Sequence, residues 1–166
     1  MKKYNFLAII LLVIALASCK NDGIYGVRDA VATDAITVDN ATFYERYPFT
    51  TTSVSAGGKI EIRLKLADGS PRTIKEITRV AASSVNRAIN PTAVQVATGL
   101  YNTAPISASG KSVTFTTTVA EYLTKKSLTS LPLNGTAFYD LQFIFMITLD
   151  NGDTIIPLET RVRPSA

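Results

Sequence analysis

Eight residues, KIEIRLKL from Lys59 to Leu66, alternate without a break. Ile60, Ile62, Leu64 and Leu66 fall on one side, and Lys59, Glu61, Arg63 and Lys65 on the other. A helix would spread those four apolar side chains around its circumference. A strand, with its period of two, gathers them on one face and leaves the charges in water. The chain must therefore build a sheet with one buried side. Gly57-Gly58 precede the run, and Asp68-Gly69-Ser70-Pro71 close it with turn chemistry. PFTTTSV, from Pro48 to Val54, is rich in β-branched residues and is expected to pair with it.

The C-terminal stretch FYDLQFIFMITLDNGDTIIPLETRVR repeats the pattern more strongly. Leu141, Phe143, Phe145, Ile147 and Leu149 share one face. Ile144 and Met146 make the other face apolar in the middle, which places this strand inside a sheet. Asn151-Gly152 suits a two-residue hairpin turn with positive φ at both positions. The return strand is expected to turn Ile156, Leu158 and Val162 inward and Glu159, Arg161 and Arg163 outward. Pro157 has no N–H for a ladder, so that strand either has an open edge or starts late.

Between these elements the signals are weaker. Thr73–Ser83, TIKEITRVAAS, carries Ile74, Ile77 and Val80 at a spacing of three, which fits a helical stripe. Ile74, Val80 and Ala82 also fit one face of a strand, and the flanking turns favour the strand. Thr92–Thr98 and Lys111–Thr117 read as short strands. Thr118-Val119-Ala120-Glu121 matches a capping box and predicts a short helix with Val119, Leu123 and Tyr122 toward the core and Lys125 and Lys126 at its C-terminal end. Such a succession predicts an all-β fold: an immunoglobulin-like antiparallel β-sandwich of about seven strands with one short helix.

The N-terminus is organised differently. Lys2 and Lys3 precede an apolar run from Phe6 to Leu16, then Ala17, Ser18 and Cys19. That order is a secretory signal peptide, and the run falls short of the roughly 20 residues a membrane span needs. Leu16-Ala17-Ser18-Cys19 resembles the bacterial lipobox, which implies acylation of Cys19 and cleavage before it. Several acyl chains together give stable membrane anchoring. The expected organisation is a signal peptide over 1–18, a lipidated Cys19 with a flexible tether over 19–34, and the sandwich over 35–166. Cys19 is the one cysteine of the chain, so a disulfide within the chain is excluded.

Composition narrows the chemistry further. Hydrophobic residues make up 46% and charged residues 18%, enough apolar mass for a packed core. The chain holds no histidine, which excludes Ser-His-Asp sites and histidine-ligated zinc. Without Lys2 and Lys3 the body carries 15 basic against 13 acidic residues, a balance that does not point to nucleic acid. Glu45, Glu61, Glu76, Glu121, Asp140 and Glu159 show no spacing that pairs two carboxylates for glycoside hydrolysis. The sequence therefore assigns no catalytic residue, no metal and no cofactor.

Two stretches remain as candidate sites. TFYERYPF, residues 42–49, sets Phe43, Tyr44, Tyr47 and Phe49 beside Glu45 and Arg46. Aromatic faces next to hydrogen-bonding groups suit a sugar, so Phe43, Tyr44, Arg46 and Tyr47 are candidate ligand contacts; packing of the first strands is the competing explanation for the rings. DNGDT, residues 150–154, is explained by its turn, not by an EF-hand calcium loop. Asp153-Thr154-Ile155 resembles a short Bacteroidetes O-glycosylation sequon, which makes Thr154 a candidate glycosylation site.

Taken with the lipobox leader and short tether, FTTTVAEYLTKKSLTSL followed by a strand and TLDNGDTIIP is similar to small outer-membrane lipoproteins of Bacteroidetes found beside starch-utilisation-type uptake systems. Lys20-Asn21-Asp22 resembles their surface-export signal. This resemblance implies a non-enzymatic, lipid-anchored outer-membrane protein at the cell surface. It would bind glycan or uptake-complex proteins. A structural or adhesion lipoprotein making protein–protein contacts is the alternative. The first reading expects exposed rings at Tyr44 and Tyr47; the second expects an uncovered strand edge near Arg161.

Overall fold

A computed structural model describes residues 32–83 and 90–166. In chain order it contains β1 (Ile36–Val38), β2 (Phe43–Tyr44), β3 (Pro48–Ser53), β4 (Lys59–Leu66) and β5 (Ile74–Ala82). A 3₁₀ turn at Pro91–Val94 follows, then β6 (Ile106–Ser107), β7 (Ser112–Thr118) and the helix α1 (Val119–Lys125). The chain ends with β8 (Leu133–Asn134), β9 (Ala137–Phe138), β10 (Leu141–Leu149), β11 (Thr154–Ile155) and β12 (Thr160–Ser165). Cys19, the leader and residues 19–31 of the expected tether lie outside the described residues; Asp34, at the end of that tether, accepts a hydrogen bond from Ser70 Oγ at 2.5 Å. No described helix is long and apolar enough to cross a membrane.

The residues Thr33–Ala166 form one compact, mostly β unit. A three-stranded sheet runs β1-β4-β7, and a larger one runs β2-β3-β12-β10-β5-β6 with β11 on the end of β10. β8 and β9 make a separate small hairpin. Ile60, Ile62, Leu64 and Leu66 of β4 are fully buried, as their alternation requires, and face the odd-numbered residues of β10 across one shared core. The two sheets thus form an all-β sandwich. Tyr101, Phe115, Tyr122, Phe143 and Phe145 meet inside it, with ring centroids 5.4–6.5 Å apart and mostly edge-on, the arrangement their quadrupoles favour. Burial pushes the Tyr101 hydroxyl up to about 12 while it shares a hydrogen bond with Thr117.

Several expectations need correction. The sandwich is not wholly antiparallel: β12 pairs β3 in parallel, Arg161 opposite Phe49 through Ser165 opposite Ser53. β3 therefore belongs to the large sheet and does not pair β4. Gly58 donates to the Ser53 carbonyl at the crossing, with φ +61. Thr92–Thr98 is not a strand. Asn90 caps the 3₁₀ turn by accepting from Thr92 N–H at 3.0 Å, and Pro91 presets its start. Arg79 holds that turn on the sheet through the Val94 and Gln95 carbonyls.

The three-residue spacing of Ile74, Ile77 and Val80 has a definite cause. β5 pairs β10 with two register shifts, which leave Lys75 and Thr78 without a residue opposite them on β10. Each extra residue restores the parity, so all three apolar side chains reach the core. The hairpin after β10 also differs from expectation. Gly152 N–H bonds Leu149 C=O, Leu149 N–H bonds Asp153 C=O, and only Gly152 has positive φ, at +88. It is a three-residue loop closed by a left-handed glycine. Past it, Pro157 interrupts the ladder: Leu158 is 66% exposed and Glu159 is buried, the reverse of the expected alternation. β12 starts late, at Thr160, and is paired on both sides, to β3 and β10.

Candidate functional site

The outer face of the large sheet carries the charged and aromatic residues of interest. Leu141, Phe143 and Val162 point into the core, so their neighbours Gln142 and Arg161 point away from it. One row crosses four strands: Gln142 opposite Arg161, Arg161 opposite Phe49, and Phe49 opposite Phe43. The Phe43 and Phe49 rings stack with centroids 4.8 Å apart and planes 12° apart, and Phe49 is buried although it faces outward.

Two guanidinium groups lie over these rings. Arg163 Cζ is 4.6 Å from the Phe49 centroid and 5.2 Å from that of Phe43. Arg161 Cζ is 4.4 Å over the Tyr47 ring. Each arginine is also held by a carboxylate. Arg163 binds Asp140 with two hydrogen bonds, Nε to Oδ1 at 2.8 Å and Nη2 to Oδ2 at 3.1 Å, and has Glu45 at 3.8 Å. The hydrogen bonds to Asp140 raise the pKa of Arg163 further. Arg161 donates Nε to Glu159 Oε1 at 2.8 Å and brings Nη2 to the same oxygen at 2.8 Å. A planar guanidinium is suited to both tasks at once, since its faces meet rings while its edge meets a carboxylate.

Residues of the layer line two grooves. One, of about 590 Å³, is lined by Phe138, Tyr139, Asp140, Arg163 and the last residues of β12. The other, of about 350 Å³, is bounded by Tyr47, Ile144, Ile156, Leu158 and Glu159. Ile144 is wholly buried beneath it, packed with Ala81 and Val94. Arg163 belongs to the first groove and touches Phe43, while Tyr47 belongs to the second.

Of the sequence candidates, Phe43 and Tyr47 are brought into this layer, and Arg46 is exposed with its guanidinium 5.5 Å from the Tyr47 ring. The backbone of Tyr44 pairs with Pro48; its side chain lies outside the described residues. Thr154 is exposed on β11, away from the layer. In the DNGDT turn, Asn151 donates to Asp153 Oδ2 at 2.6 Å and accepts from Asp153 N–H at 3.1 Å, so its side chain is spent on closing the loop. Sequence reasoning missed Phe138, Tyr139 and Asp140 as groove residues, and missed Arg161 and Arg163 as partners of the aromatic cluster. The outward-facing pair of arginines was a visible signal. What joins them to Phe43 and Phe49 is a parallel pairing across more than a hundred residues, which no local pattern records. No family model, curated protein or solved structure matches the chain.

Proposed function

We propose that this chain is a non-enzymatic, lipid-anchored protein of the outer-membrane surface, with an immunoglobulin-like sandwich that binds glycan as a module of a nutrient-uptake system. The observation that carries the binding reading is the groove beside Arg163. Phe138 and Tyr139 offer apolar ring surface, while Asp140 and Arg163 offer an acceptor and a donor already fixed against each other. A sugar presents the complementary surfaces, C–H faces and a rim of hydroxyls. Strands that pass repeatedly between the two sheets support the immunoglobulin-like description. The lipobox at Cys19 supports the anchor.

The adhesion alternative was tied to an open edge near Arg161. β12 is covered on both sides, so that support falls away. The test is a glycan array probed with the protein, followed by calorimetric titration of the best ligand into the parent, Tyr139→Ala and Arg163→Gln. Loss of about tenfold or more in affinity in both variants is expected, since truncating aromatic and arginine anchors commonly removes 1–2 kcal/mol. Parent-like affinity in both variants would place the site elsewhere. Absence of binding to any glycan would end the glycan reading.

A further inference from the structure

Sheet edges are templates for another strand unless they are short, charged or covered. Most edges here are short. β1 has three residues, and β2, β6 and β11 have two each. The far side of β3 is partly closed, because Thr42 N–H takes the Phe49 carbonyl and Gly58 N–H takes that of Ser53. The exposed flank of β4 is capped: Asn40 donates to the Glu61 carbonyl at 2.8 Å and accepts from Arg63 N–H at 2.8 Å, as a strand residue would, Asp39 N–H takes the Arg63 carbonyl, and Thr52 Oγ1 donates to the Lys59 carbonyl at 2.7 Å.

β7 is the exception. It is seven residues long, SVTFTTT, and holds no charge, proline or glycine. It pairs β4 on one side. Leu66 N–H donates to the Lys111 carbonyl and Val119 N–H to that of Gly58, both at 2.8 Å, so the odd-numbered residues of β7 bond toward β4. The N–H and C=O groups of Thr114 and Thr116 therefore point to the far edge, where they meet no hydrogen-bond partner among the described residues. Ser112 is closed there by its bridge to Ser109.

We infer that this edge is an interaction surface for a second copy of the same chain, with two β7 strands pairing antiparallel about a two-fold axis. The chemistry of the strand suits this occupant, because it is uncharged and its exposed row is self-complementary. An uncharged strand meets its own copy without like-charge repulsion, whereas it offers a charged segment no counter-charge. The outer-face side chains Ser112, Thr114 and Thr116 are all exposed hydroxyl residues, and antiparallel pairing sets such residues opposite one another in hydrogen-bonding cross-strand pairs. A two-fold contact needs only one self-complementary patch. Val113 and Phe115 are already buried in their own core, so the association adds little apolar area and is weak and concentration-dependent.

The test is sedimentation of the full chain in density-matched detergent across a wide concentration range, alongside the double variant Thr114→Lys/Thr116→Lys. A reversible dimer in the parent, weakened about tenfold or more in the variant with an unchanged melting midpoint, is expected, since lysines then face lysines across the seam. A parent that stays monomeric throughout, or a dimer the variant leaves intact, overturns the inference. Amide hydrogen exchange of the parent needs no substitution. Thr114 and Thr116 should become protected as concentration rises; protection independent of concentration would mean that the edge is covered within one chain, and contradicts the inference.

Discussion

Phe145 and Tyr47 show how differently two aromatic residues of one sheet are employed. Phe145 is fully buried against Phe115 and opposite Val80. Tyr47 is half-buried on the outer face with its ring under Arg161. Phe145→Ala should lower stability by about 3–5 kcal/mol, and Tyr47→Ala by about 1 kcal/mol or less, the scale of an exposed cation–π contact. Urea melts of the two variants decide this; equal midpoints would mean that core and surface have been assigned wrongly. Two adjacent glycines allow a finer comparison. Both have positive φ, but a Cβ at Gly58 would stand 2.8 Å from Val119 Cβ and Cγ2, whereas at Gly57 it meets nothing within 4 Å. Gly57→Ala should cost about 1 kcal/mol for backbone strain, and Gly58→Ala about 1–3 kcal/mol more for the clash. Val119→Ala removes the Cγ2 contact and keeps the Cβ one, so the Gly58→Ala/Val119→Ala pair should cost less than the sum of the two single losses; strict additivity in thermal melts would show that the two sites do not touch.

At the scale of elements, α1 repays attention because half of its predicted cap forms differently. Thr118 Oγ1 accepts from Glu121 N–H at 3.1 Å, as a capping box requires. The Glu121 carboxylate does not reach back to the Thr118 backbone: Lys125 pairs with it at 2.9 Å and the Thr117 hydroxyl at 2.9 Å. The hydrogen bond from Lys125, then that from Thr117, lowers its pKa below the ordinary 4.5. A lowered folded value means that the carboxylate stabilises the fold above pH 4.5 and loses that contribution as pH falls through the lowered value. The side chain is 45% exposed, so screening keeps the effect to about 0.5 kcal/mol or less. Glu121→Gln should flatten the acid limb of a stability-against-pH curve by that amount; an unchanged limb would mean that the pair contributes nothing. Elements whose apolar pattern closes on itself were legible in the sequence. β4, β10 and the start of α1 stand where Lys59–Leu66, Leu141–Leu149 and Thr118 placed them. β5 needed its partner before Ile74, Ile77 and Val80 made sense, because bulges are a property of pairing. Thr92–Thr98 misled because a proline-led turn can bury Val94 without being a strand.

For the whole molecule, the candidate site was half legible. Composition and local sequence pointed to Phe43, Tyr44, Arg46 and Tyr47, but the layer also needs Arg161 and Arg163 from the last strand and Asp140 from the approach to β10. Only the closure of β12 onto β3 brings these together. Anchoring belongs to this scale too. Replacing Cys19 with Ala should move the protein out of the membrane fraction on cell fractionation; an unchanged membrane share would remove the lipid anchor. The central claim is that ligand is held on the outer face of the large sheet, around its arginines. It is tested most directly by mapping amide chemical shifts as the best array glycan is titrated in. The expected shifts gather at Phe138–Asp140 and Arg163–Ala166, and leave the wet face of β4 unmoved. Shifts gathered on β4 or β7 instead, with the arginine layer silent, would contradict it.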